Sequence, residues 1–143
     1  METAYKEVKS IPEFVDAIRL RVEVFIIEQG YPSNLEPDEQ DRVSRHFIAI
    51  CDGKVVSTAR VLETAAGEFR IGRMATKKEF RGRGIGKGLL AHIVETIRVL
   101  KPKRVWLRSQ THAENFYAKC GFKKTTEPFD YEGTPHVDME LLR

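Results

Sequence analysis

Arg81-Gly82-Arg83-Gly84-Ile85-Gly86-Lys87-Gly88 lies between a strand-like stretch, Glu68–Thr76, and an amphipathic run. After Gly84 the apolar residues Ile85, Leu89, Leu90, Ile93, Val94 and Ile97 recur every three or four positions, which predicts a helix that Pro102 ends. The glycines let the backbone turn sharply and bring its N–H groups close to a ligand. The helix start adds unpaired donors and a partial positive charge, which Arg81, Arg83 and Lys87 reinforce. An anion-binding turn is the functional reading, and a flexible basic loop is the plain alternative. Two familiar phosphate loops do not fit. A Walker A motif needs glycine at 81 and Ser or Thr at 88, where the chain has Arg81 and Gly88; a dinucleotide fingerprint from Gly82 needs glycine at 87, where it has Lys87.

Outward from the turn, the patterns alternate between strand and helix. Thr3–Val8 alternates weakly as a first strand. Ser10-Ile11-Pro12-Glu13 reads as a capping box, opening a helix through Phe14, Ile18, Val22 and Phe25 that Gly30 closes. Residues 31–41 are acidic and proline-bearing, a loop with at most a short helical turn. His46–Cys51 and Lys54–Leu62 flank Asp52-Gly53, a two-residue hairpin signal. Arg104–Ser109 reads as a buried strand with Trp106 in the core, Ala113–Lys119 as a short helix, and Phe122–Lys124 and His136–Leu142 as strands. Hairpins followed by a strand–helix–strand crossover give a mixed-sheet α/β or α+β fold, with Glu68–Thr76 and Arg104–Ser109 parallel if they are neighbours. The 143 residues are expected to form one domain, 1–143.

Charge is unevenly placed. Residues 1–50 carry 10 Asp/Glu against 6 Lys/Arg, whereas 77–87 and 98–108 are basic, so the net +3 is a difference between regions. The acidic first third points to a cationic partner. Two short basic patches without interleaved aromatics suit a small phosphate ligand better than nucleic acid. The N-terminus has no basic-then-apolar signal pattern and no apolar run is long enough to span a bilayer, so cytoplasmic residence without a membrane partner is expected. Cys51 and Cys120 match no metal or redox spacing and read as reduced thiols. His92 and His112 lack companion ligands, so no metal site is expected.

Arg81-x-x-Gly84-x-Gly86 resembles the pyrophosphate-binding signature of the GNAT superfamily of acetyl-CoA-dependent N-acetyltransferases. Asn115-Phe116-Tyr117-x-x-x-Gly121-Phe122 resembles that family's second motif. Leu20-Arg21-x-x-Val24-Phe25-x-x-Glu28-Gln29 and Gly133-x-Pro135-His136 resemble its ElaA-like branch. The resemblance implies a mostly antiparallel central sheet flanked by helices, with a parallel pair splayed at the cofactor site. It implies acetyl-CoA as cosubstrate, an amine of a small molecule or protein as acceptor, and a monomer or homodimer. Backbone of Met74, Ala75 and Thr76 would meet the pantetheine arm, amides and side chains from Arg81, Gly82, Arg83, Gly84, Ile85, Gly86 and Lys87 the pyrophosphate, and Asn115 the cofactor. Tyr117 would protonate the departing thiolate.

Many members of this family place a basic carboxylate on the fourth strand, but Ile71-Gly72-Arg73-Met74 has none. Glu28, Asp41, His46 and His136 are the candidate bases from the branch resemblance. The plain alternatives are solvated charges for the two acids, ordinary strand-end hydrogen bonds for the histidines, and aromatic packing for Tyr117. Without a base, a non-catalytic acyl-CoA-binding regulatory domain is the competing reading.

Overall fold

The change of hydrophobic period at Gly84 separates a sheet from the helix that covers it. In the computed structural model, which describes residues 2–142, strands Thr3–Glu7 (β1), Arg45–Cys51 (β2), Lys54–Ala65 (β3), Glu68–Thr76 (β4), Arg104–Gln110 (β5), Phe122–Lys124 (β6), Phe129–Tyr131 (β7) and Thr134–Leu141 (β8) share one sheet. The order is β1-β2-β3-β4-β5-β8-β6, with β7 also on β8, and β4–β5 is the parallel pair. Helices Ile11–Arg21 (α1), Ile85–Arg98 (α2) and Glu114–Lys119 (α3) flank it. No helix among the described residues is long and apolar enough to cross a membrane.

The capping of α1 follows its sequence: the Ser10 hydroxyl accepts from the Glu13 amide at 3.3 Å, with proline in the first turn. The α-helix does not run on to Gly30, however. Val22–Glu28 forms a π-helix, and its wider turn seats Val24 and Phe25 beside Leu20 and Ala75. Residues 31–42 contain two 3-10 turns, Ser33–Leu35 and Glu39–Arg42. The β7–β8 hairpin is also absent from the sequence expectation. Its turn residues Glu132 and Gly133 both have positive φ, 53° and 83°.

Alternation along the strands divides the sheet into two faces. Phe69, Ile71, Val105 and Leu107 point to α2, where Leu89, Leu90, Ile93 and Ile97 complete the main core. Each of these fully buried side chains contributes about 1.5–3 kcal/mol. Gly88 makes the approach of α2 possible: a Cβ there would lie 2.1 Å from the Tyr5 hydroxyl and 2.5 Å from Tyr5 Cζ. Its glycine therefore serves helix–sheet packing rather than the ligand-facing turn. Cys51 and Cys120 are free thiols.

Two irregularities in β4 position the site. Its pairing with β5 runs only from Glu68–Arg104 to Ile71–Leu107. On the other side, Thr58 pairs with Ala75 and Arg60 with Gly72, so Arg73 and Met74 together face Ala59 across a β-bulge. Arg73 adopts a left-handed φ of 49°, strained for a non-glycine residue. The bulge bends the second half of β4, which parts from β5 beyond Ile71.

Candidate active site

The turn from Gly82 to Lys87 is built to present donors. Gly82 and Gly84 have φ of 77° and 78°, a region that costs an L-residue about 1–2 kcal/mol. The first bond within α2 runs from the Gly88 amide to the Gly84 carbonyl at 2.9 Å, and no side chain caps the helix. Among the described residues, the amides of 82–87 have no intramolecular partner. Arg81 faces away from them. Its Nε donates to the Thr76 carbonyl at 2.9 Å, and its two terminal nitrogens grip Glu28 at 2.6 and 2.8 Å. Arg81 thus fastens the turn to β4 and to the π-helix. Positive charge at the turn is left to Arg83, stacked 5.3 Å from the Phe80 ring, and to Lys87; neither has an ion pair among the described residues. Unpaired amides beside unpaired cations fit a phosphate ester.

Where β4 and β5 separate, a cleft of about 180 Å³ opens, lined by Arg70, Met74, Arg108, Gln110, Tyr117 and His136 among others. The Tyr117 ring packs edge-on against Phe116 and Phe122, with centroids at 5.0 and 6.3 Å. Its hydroxyl has no protein partner, and because no side-chain polar atom is both buried and unpaired, that oxygen opens to the cleft. Burial, with a smaller effect from Cys120, raises the phenol above its ordinary 10.0. His136 is buried at the start of β8, and its Nδ1 donates to the Thr134 carbonyl at 2.9 Å. That bond fixes the proton on Nδ1 and leaves the Nε2 lone pair facing the accessible side. Two hydrogen bonds bridge the mouth, Gln110 to Gln29 at 2.9 Å and Tyr31 to Thr134 at 2.7 Å.

A family model described as an acetyltransferase (GNAT) domain matches residues 6–143. The chain belongs to the GNAT acetyltransferase family. Protein ElaA of Escherichia coli is 31% identical over 134 residues, covering 91% of this chain and 88% of ElaA. The crystal structure of that ElaA superposes with a TM-score of 0.88 at 27% identity, over 99% of this chain and 100% of ElaA. An acyl-CoA N-acyltransferase from Pseudomonas aeruginosa gives 0.84 at 28% identity over 99% of both chains. A protein of Schizosaccharomyces pombe is 34% identical over 148 residues, with 99% and 97% covered. This GNAT acetyltransferase is of the ElaA-like branch, and its splayed parallel pair is the expected feature of the fold.

The other residues singled out from the GNAT resemblance are dispersed. Met74 lines the cleft, while the Ala75 carbonyl accepts from the Ser57 hydroxyl at 3.1 Å and the Thr76 carbonyl is taken by Arg81. Asn115 is exposed on α3, whose Phe116 covers Gly86 at the turn. Glu28 lies at Arg81, whose hydrogen bonds lower its pKa against a smaller effect of burial. His46 is buried outside the cleft with its Nε2 3.0 Å from the Asp41 carbonyl, and burial lowers its pKa.

Asp41 belongs to an ionic network that the sequence does not reveal. Arg21, 1% exposed, donates twice to Asp41 at 2.9 and 3.0 Å and once to Glu36. Arg60, 2% exposed, reaches Asp38 at 2.6 Å and Asp41 at 2.8 Å. Arg73 holds Glu36 at 2.6 Å and Asp38 at 3.0 Å, so the strained residue of the bulge is anchored by its own side chain. Burial alone would raise the Asp41 carboxyl; Arg21, the Asp38 amide and Arg60 overcome it and hold the group at about 2. Glu36, Asp38 and Asp41 are therefore turned inward, whereas Glu39 stays exposed beside Arg42. Three of the acids of the acidic first third are thus paired within the chain, and the cleft is lined by Arg60, Arg70, Arg73 and Arg108 as well as Glu132. Trp106 is buried, as expected, but on the arginine face: Arg70, Arg104 and Arg108 surround its ring at 5.6, 4.7 and 5.6 Å.

Proposed function

We propose that this enzyme uses acetyl-CoA to acetylate a primary amine by direct transfer, with no acyl-enzyme. The observation that carries the reading is that the Tyr117 hydroxyl and the free Nε2 of His136 line one cleft, at the point where β4 leaves β5. The amides of 82–87, with Arg83 and Lys87, would hold the pyrophosphate, the freed edge of β4 the pantetheine arm, and Asn115 a further polar group of the cofactor. Bound there, the cofactor supplies an acyl carbon activated as a thioester.

A protonated amine is not a nucleophile, and freeing a lysine-like amine near neutral pH costs about 4–5 kcal/mol. His136 Nε2 takes that proton, directly or through one water. The Met74 amide donates to the oxygen as it gains charge. Tyr117, kept protonated by its burial, offers its O–H to the departing sulfur. The amine nitrogen gains the C–N bond and releases its second proton to solvent, the C–S bond breaks, and the sulfur takes the Tyr117 proton; solvent then reprotonates Tyr117 and receives the proton held by His136. Glu28, Asp41 and His46 serve structure in this scheme, each already committed to a partner. A binding domain without turnover needs the base to be missing, and His136 fills that place.

The test is thioester consumption with an amine panel read by mass spectrometry. Arg81→Glu and Gly84→Asp should abolish turnover while circular dichroism is unchanged. Undiminished turnover in both variants would refute the reading.

A further inference from the structure

Three of the arginines lining the cleft are neutralised: Arg60 by Asp38 and Asp41, Arg73 by Glu36 and Asp38, and Arg108 by Asp138 at 2.7 and 3.2 Å. Arg70 is the exception. Its one hydrogen bond goes to the neutral Gln40 amide oxygen at 3.0 Å, an acceptor already shared with Arg60 at the same distance. Within the connected group, Arg21, Arg60, Arg70 and Arg73 face Glu36, Asp38 and Asp41, leaving one positive charge that no carboxylate meets. Burial pushes the Arg70 pKa below the ordinary arginine value; Tyr131 opposes this, while Arg60, Arg108 and Arg73 add to it. The remaining N–H groups of its planar fork are free for an anion, the geometry that suits a two-oxygen carboxylate.

We propose that the acceptor is a small amine that also carries a carboxylate, which Arg70 binds while the amine is presented to His136. This rests on the acyltransferase reading and narrows its substrate class. Arg70 is the one cleft arginine that no carboxylate meets, and its single planar fork suits a carboxylate better than a phosphate; Glu132 also lines the cleft, with no ion pair among the described residues. The cleft, about 180 Å³, is of the order that accepts a benzene-sized molecule, so a free amine-bearing acid fits better than a folded protein surface.

Trp106 is the only tryptophan, and its ring centroid lies 5.6 Å from the Arg70 guanidinium, which makes it a probe of the site without turnover. Sodium butyrate should change its emission saturably, and butyramide, of the same shape without charge, should not. Arg70→Gln should weaken the butyrate response at least about tenfold, with Arg70→Lys between the two. In the acetyl-transfer assay, α-amino acids should outperform their decarboxylated amines. Arg70→Gln should raise KM for the acids by about tenfold or more, with kcat and the KM of the plain amines little changed. Equal effects of butyrate and butyramide on the native protein would overturn the proposal, as would an unchanged acid-to-amine preference in Arg70→Gln. Butyrate binding through Arg70 without transfer to any amine would keep the anion site and refute the acyltransferase reading.

Discussion

Replacing Asp41 with asparagine removes one of the three carboxylates that hold residues 31–42 against β3 and β4. One Asp41 oxygen accepts from Arg21 at 2.9 Å and Arg60 at 2.8 Å; the other accepts from Arg21 at 3.0 Å and the Asp38 amide at 2.8 Å. Asparagine keeps an oxygen at one position and puts an NH₂ at the other, facing two donors. Arg21 and Arg60 are too deeply buried to turn to water instead. Removing one partner of such a buried pair costs about 3–5 kcal/mol. A second route sets a floor: a carboxyl held at about 2 rather than 3.8 is worth about 2 kcal/mol of ionisation-linked stability. At neutral pH the variant should therefore lose about 3–5 kcal/mol, a fall in Tm of about 10–17 °C for a chain of this size. Because the folded-state pKa is depressed, this contribution is complete above about pH 5 and fades as pH falls through 3.8 toward 2. Urea titrations at pH 7 and pH 3 read both effects. A loss under about 1 kcal/mol at pH 7, or a gap that does not narrow in acid, would refute the argument.

Tyr117→Phe removes one oxygen and leaves the ring contacts. Steady-state kcat should drop about 10²–10⁴-fold with acetyl-CoA affinity by calorimetry unchanged. Since burial raises the phenol above its ordinary 10.0, the native rate should show no alkaline loss from Tyr117 up to that pH. Gly88→Ala should destabilise in urea melts despite its gain in helix propensity of about 1 kcal/mol, because overpacking against Tyr5 costs about 1–3 kcal/mol. Adding Tyr5→Leu should restore part of the loss.

The glycine-rich turn was legible because it is local. Arg81 through Lys87 are adjacent in sequence, and a turn plus a helix start needs no distant partner to form. The parallel β4–β5 pair followed from the strand–helix–strand order. The π-helix escaped because Val22 and Phe25 satisfy an α-helical period equally well. β7 escaped because three residues carry too little alternation to stand out. The ionic network of the acidic first third escaped for a different reason. Charge summed along a chain cannot show that Glu36, Asp38 and Asp41 meet Arg21, Arg60 and Arg73, up to 37 positions away. Likewise His136 differs from His46 only in what surrounds each ring, which the sequence does not display.

The cleft mouth is crossed by hydrogen bonds whose partners stand 81 and 103 residues apart, whereas the donor turn spans one short segment. The two halves are thus exposed to different evolutionary histories. On the proposed reading, substitutions at positions 29, 31, 70 or 108 can each retune the acceptor without touching the glycine-rich turn. On that reading, descendants of one ancestor can then exchange acceptors stepwise while their acyl donor stays fixed.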